Sequence, residues 1–163
     1  MHTEMMLDTD QAEQIEAGGI ARWLPAIARV LVGLIFTVMG LNGFFYFLPQ
    51  PATMPEAATA FFGGLARSGY MLPLLSGTEV LVGVLFLSNR FVPLALVIIA
   101  PVVVNIICVH LFVFPTGYPL AALTAALVVY LGWSYRGAYT AVLAMRATPT
   151  GRSGPPAGGR ARW

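Results

Sequence analysis

Residues 69–88, GYMLPLLSGTEVLVGVLFLS, form an apolar run about one bilayer long with a single acid, Glu79, near its middle. A helix of ~20 apolar residues spans the hydrocarbon core of a membrane. A carboxylate at its centre costs roughly 2.5–3.5 kcal/mol on insertion scales, so it belongs against protein or water and not against lipid. Ser76, Glu79 and Gly83 recur at i, i+3 and i+7 and share one small, polar face. Leu81, Val82 and Leu85 lie largely elsewhere. The pattern predicts a helix turned towards its neighbours, with Glu79 inside.

The rest of the chain is of the same kind. Of 163 residues, 58% are hydrophobic and 10% charged, at a mean hydropathy of +0.77. A soluble domain of this length cannot hide so much apolar surface, whereas a membrane protein has no need to. The length allows one compact domain. Lysine is absent, and nine basic residues, all arginine, face seven acids for a net charge of +2. Heavy use of Arg, Ala, Gly and Pro points to a GC-rich bacterial source. One cysteine, Cys108, excludes an intramolecular disulfide and any CxxC pair. It reads as a small buried hydrophobe. Nucleic acid is excluded as a partner, because the arginines form no stripe with interleaved aromatics.

Four spans are predicted: about 26–48, 69–88, 91–114, and from 118 to about 145. In the first, Gly33, Thr37 and Gly40 make a narrow face that admits another helix closely. Between the first two spans lies a proline-marked loop. Its segment 55–66 reads as a short helix, with Pro55 at the first turn and Gly69 as the stop. Phe61, Phe62 and Leu65 would float this helix on the membrane surface as a linker, the alternative being a lid over a cavity. Pro101 falls inside the third span, where it removes a backbone hydrogen bond and predicts a kink. Ala121/Ala125 and Ala122/Ala126 give the fourth span a close-packing surface.

The fold class expected is therefore all-α: an integral membrane four-helix bundle with a short interfacial helix in its first loop. Residues 1–25 form an acidic tail without the basic opening of a cleaved signal peptide. Residues 26–145 are the membrane domain. Residues 146–163, rich in Gly, Pro and Arg, form a basic tail too polar to fold. Arg22, Arg29, Arg90, Arg136, Arg146, Arg152, Arg160 and Arg162 fall on one side of a four-span arrangement, and Arg67 alone on the other. The positive-inside rule then makes both termini cytoplasmic, in the bacterial inner membrane.

The intramembrane polar residues are the candidate site. At a rise of ~1.5 Å per residue, Asn42 and Asn105 lie within roughly 4–6 Å of the level of Glu79, with His110 nearer the outer interface. The four could line a cavity open to the outside. Each also has a plainer reading: Asn42 and Asn105 as interhelical hydrogen bonders, His110 as a wet side chain, and Glu79 as a protonated structural acid bonded to one of the asparagines. A metal site would need more companions than one histidine in the spans provides.

The segments RVLVGLIFTVMGLNGFFYF (29–47), GTEVLVGVLFLSNRFVPLAL (77–96) and APVVVNIICVH (100–110) resemble the DoxX family of small four-helix bacterial membrane proteins. The likeness covers about residues 26–140, in order and spacing as well as hydrophobicity. It implies a membrane subunit of an oxidoreductase, such as thiosulfate:quinone oxidoreductase, or a protein that assembles with detoxifying enzymes under oxidative stress. More distant members of the fold group are cargo receptors or assembly chaperones. Glu79, Asn105 and His110 match the family's polar residues, and Asn42 matches a polar position in the first helix. With one cysteine and neither a haem-ligand pair nor a flavin motif, the chain is not expected to catalyse redox chemistry on its own.

The function expected is that of an accessory or anchoring subunit binding a small lipophilic ligand, a quinone as first choice, near Glu79. Its partners would be the lipid bilayer, an oxidoreductase and further copies of itself. A non-enzymatic scaffold or chaperone, and an oligomeric small-molecule carrier, stay open as alternatives.

Overall fold

The computed structural model describes residues 22–49, 51 and 53–140. The acidic tail up to residue 21 and the basic tail expected at 146–163 lie outside them. Five α-helices follow one another: α1 (Leu24–Phe45), α2 (Glu56–Arg67), α3 (Met71–Leu87), α4 (Val92–Cys108) and α5 (Tyr118–Ser134). A π-helical turn, Val109–Val113, prolongs α4, and a 3-10 turn, Arg136–Tyr139, follows α5. Among the described residues there is no strand.

Two helical stretches, Leu24–Phe45 and Val92–Val113, are long and apolar enough to cross a membrane, with mean hydropathies of 2.1 and 2.8. Helices α2 and α3 together pass the same test, but they meet at 90°. Helix α5 is apolar and shorter, at 17 residues. The outward surface is apolar as well: Phe45, Phe91, Phe112, Val129 and Trp133 are largely exposed. A water-soluble monomer rarely shows so much, whereas a lipid-facing surface requires it.

Helix α1 packs most extensively on α3, and α5 packs on both α1 and α4, which also meets α3. The α1–α3 contact is antiparallel and built from small residues. A methyl group added at Gly40 would lie 2.7 Å from the Ser76 carbonyl oxygen and 2.8 Å from the Val80 nitrogen. One added at Gly83 would lie 2.7 Å from the Thr37 nitrogen and 2.9 Å from the Gly33 oxygen. Backbone therefore touches backbone along the seam, as the Gly33, Thr37 and Gly40 pattern predicts. Beside it, Val32 and Phe36 of α1, Val82 and Phe86 of α3, Ile99 of α4 and Leu131 of α5 are wholly buried.

The helix ends explain the turns. Arg29 of α1 donates from Nη1 to the Phe86 oxygen and, at 3.4 Å, to the Leu87 oxygen. It thus satisfies the carbonyls that α3 leaves free at its C-terminus. Ser88 donates from Oγ to the Leu85 oxygen at 3.2 Å. Asn89 and Phe91 adopt left-handed conformations (φ 56° and 53°) to reverse the chain within a few residues. Pro93 lies in the first turn of α4, and the helix continues without interruption through Pro101.

The 90° bend between α2 and α3 is equally local. Gly69 sits at φ +77°, a conformation that suits glycine. Ser68 Oγ donates to the Leu65 oxygen at 2.6 Å and accepts from the Met71 N–H at 3.1 Å, joining the two helices across the bend.

Two expectations are corrected. Cys108 is exposed, because it lies on the outer face of α4 with Val104 and Leu111. The fourth span, expected to reach residue 145, stops as an α-helix at Ser134. There Ser134 Oγ donates to the Tyr130 oxygen at 2.9 Å, and Arg136 donates to the Trp133 oxygen at 3.1 Å. These side chains satisfy carbonyls of the last turn, and Gly137 follows where a helix would have to continue.

The seam yields a test. Gly40→Ala and Gly83→Ala should each destabilise the protein by about 1–3 kcal/mol, the usual cost of overpacking, in thermal or SDS unfolding from detergent. Gly132→Ala, with nothing within 4 Å of the added carbon, should be neutral or slightly stabilising. Equal behaviour of Gly83→Ala and Gly132→Ala would contradict the seam.

Candidate functional site

The five helices enclose a cavity of about 400 Å³. Each gives one face to it, at helical spacing. Helix α1 contributes Ile35, Phe36 and Met39, and α3 contributes Leu75 and Glu79. Val102, Asn105, Ile106, Val109 and His110 come from α4 and its π-helical extension. Leu120, Ala121 and Thr124 come from α5, with Gly117 just before it. Helix α2 closes the space with Phe61, Phe62 and Leu65. The rings of Phe61 and Phe62 meet edge to face at 5.3 Å.

Helix α2 therefore lies against the cavity and lines it with three apolar side chains. The reason is the bend at Gly69, which carries α2 across the end of the other helices and against the π-helical turn. Glu56 in its first turn and Arg67 in its last complement the helix dipole. They leave the Phe61, Phe62 and Leu65 face free to turn inward.

Three of the four predicted polar residues come together here: Glu79, Asn105 and His110 all line the cavity. The Glu79 side chain is partly buried, and its carboxyl meets no hydrogen-bonding partner among the described residues. The Asn105 amide is likewise without one, and the residue is exposed. His110 is held by one nitrogen. Its Nδ1 lies 2.7 Å from the Ile106 oxygen. A carbonyl can only accept, so Nδ1 carries the proton. Its Nε2 lies 3.3 Å from where Gly117 would carry a side chain. Gly117 stands at φ +77°, so the ring is roofed by backbone at a position that excludes a larger residue in two ways. Tyr118 adds a tilted ring contact at 6.4 Å.

Asn42 is placed apart and does not line the cavity. Its side-chain oxygen accepts from the Leu48 N–H at 2.7 Å, and its carbonyl accepts from the Tyr46 N–H at 2.8 Å. Tyr46 is left-handed (φ 51°), and the pair of bonds closes the C-terminus of α1. Sequence depth places Asn42 within a turn of Glu79, and it follows Ile35 and Met39 at i, i+4 and i+7 on the same side of α1, but its side chain is taken up by the end of the helix.

Thr124 is a cavity residue that the polar inventory overlooks. Its hydroxyl donates to the Leu120 oxygen at 2.8 Å, which leaves only lone pairs for the cavity. The available signal was its position one turn beyond Leu120 and Ala121 on an otherwise alanine-rich helix. Among the described residues, no group of three or more His, Cys, Asp or Glu side chains could hold a metal ion.

The arrangement can bind. It offers apolar walls, two aromatic rings in its roof and a few converging polar groups, within the usual size range of small-molecule sites. Comparison of the chain with protein-family models, with curated proteins and with solved structures gives no match in any of the three.

The two asparagines should separate on mutation. Asn42→Ala should cost about 1 kcal/mol in unfolding measurements, through loss of the bond that closes α1. Asn105→Ala should change stability by no more than a few tenths, since its amide meets no hydrogen-bonding partner among the described residues. The reverse order would show that the two roles are exchanged.

Proposed function

We propose that the chain is a DoxX-like four-helix protein of the bacterial inner membrane that holds a small lipophilic molecule in the cavity beside Glu79. The observation that carries this reading is the cavity itself. Glu79, Asn105 and His110, side chains that are costly to place in lipid, line with Thr124 a space whose other walls are apolar. Intramembrane ionisable residues mark functional sites by default. A quinone-type molecule suits the walls: a flat ring against Phe36, Phe61 and Phe62, and its oxygens towards Glu79 and Asn105. The protein would then serve as an accessory or anchoring subunit of a redox or stress-related membrane complex, with the electron donor on a partner.

The orientation proposed is with both termini cytoplasmic. Among the described residues, Arg22, Arg29, Arg90 and Arg136 gather at the end where α3 turns into α4, since Arg29 bonds to the end of α3 and Tyr139 OH donates to the Pro93 oxygen at 3.4 Å. Arg67 lies on α2, which packs against the π-helical turn at the opposite end. By the positive-inside rule the arginine-rich end is cytoplasmic, and the cavity under α2 opens towards the outer leaflet.

The test is native mass spectrometry of protein gently extracted from its own membrane, with organic extracts analysed for quinones. The expected result is a stoichiometric lipophilic species from the parent chain. Glu79→Gln should lose up to about tenfold in affinity, the worth of one neutral hydrogen bond from a protonated carboxyl, while unfolding as the parent does. A bare protein would overturn the reading. So would a Glu79→Gln variant with undiminished ligand. A co-purifying protein with no ligand would instead favour a scaffold.

A further inference from the structure

The polar end of the cavity is short of donors. His110 spends its Nδ1 proton on the Ile106 oxygen at 2.7 Å, and a neutral ring therefore presents Nε2 as an acceptor. Thr124 spends its hydroxyl proton on the Leu120 oxygen at 2.8 Å, and only its lone pairs remain. The Glu79 carboxylate accepts at both oxygens, and even a protonated carboxyl keeps an accepting oxygen. Asn105 both donates and accepts, as Glu79 does when it is protonated. Among the described residues, none that lines the space is an arginine, so they offer an anionic head such as a carboxylate or phosphate no counter-charge. A ligand that only accepts hydrogen bonds would leave His110, Thr124 and one Glu79 oxygen facing it without a proton between them. Sites built to bond an OH or N–H reject analogues that lack it, because their buried polar groups are then left unpaired.

From this inventory we infer that the cavity selects a lipophilic molecule whose head donates hydrogen bonds, and that between the two states of a quinone-type ligand it holds the dihydroxy form in preference to the dicarbonyl form. This rests on the ligand-binding reading given above and adds the state that is bound. The two hydroxyls would donate towards Glu79 and His110 Nε2, while Asn105 donates to one of their oxygens. A binding site with this preference raises the reduction potential of the bound couple, because it stabilises the reduced form.

The experiment is equilibrium binding of a short-tailed benzoquinol and of the matching benzoquinone to the full chain in lipid nanodiscs, kept anaerobic, with a chemical reductant present only in the quinol arm. The quinol should bind at least ~10-fold tighter, equivalent to a shift of about +30 mV for a two-electron couple. Replacing the acceptor ring with His110→Phe should move the ratio towards one, mainly by weakening the quinol. The parent ratio decides the matter even if that variant does not fold. Equal affinities, or a tighter quinone, would overturn the inference and leave the binding reading standing. Binding of neither form would overturn the binding reading on which it rests. A lipophilic ammonium bound far more tightly than the quinol would overturn the choice of a hydroxyl head, since that donor would then be the one the acceptors serve.

Discussion

The contact on which the rest depends is the direct approach of α1 to α3. In lipid, burial of apolar side chains gives little reason for helices to associate, so close packing has to supply it. Gly40 against the backbone of Ser76 and Val80, and Gly83 against Thr37 and Gly33, supply it where no side chain could fit. The seam also fixes rotation about the helix axis. With Ser76 and Gly83 turned to α1, Glu79 is rotated off the seam and onto the cavity wall. Arg29 then fixes the lengthwise register by bonding the end of α3. Two helices set in both rotation and register form a wall, against which α4 and α5 complete the cavity.

Much of this was legible in the sequence, because it depends on short-range patterns. The small-residue face of α1 and the glycine of α3 announce their own contact. The turn at 88–91, the proline-led start of α2 and the stop at Gly69 follow from local backbone chemistry. Glu79, Asn105 and His110 stand out because polar groups in an apolar helix are few. What the sequence could not supply is which neighbour a polar side chain bonds. Asn42 lies at a depth and on a side of α1 that suit the site, yet a side chain in the last turn of a helix serves the helix end first. The face of a uniformly apolar helix is also unreadable: α5 presents leucine, valine and alanine all round, so neither Thr124 nor Leu131 declares its direction. Cys108 is misread for the same reason, since an exposed outer face and a buried inner one have the same composition when lipid is the solvent.

The division of labour among the polar residues follows from where their protons are already committed. Thr124 and His110, both lining the cavity, each bond one turn back along their own helix, and this commits the donor and leaves only acceptors unspent. The π-helical turn that begins beside His110 belongs to the same arrangement. Phe114 donates to the Val109 oxygen at 2.7 Å across five residues, and such widened turns often occur where a helix carries a functional side chain. Glu79 and Asn105, by contrast, keep their full capacity. The site combines two groups of fixed polarity with two that can adjust.

The elbow at Ser68 and Gly69 has a consequence for how the cavity is roofed. Its angle is written into a single hydroxyl and a single left-handed residue, each bonded within a few positions along the chain. Little of α2 is buried beyond Ala58, so tertiary packing contributes little to holding it. The direction of the roof is therefore a property of the local chain and travels with it from one lipid environment to another. The elbow thereby also sets where the rings of Phe61 and Phe62 meet the cavity.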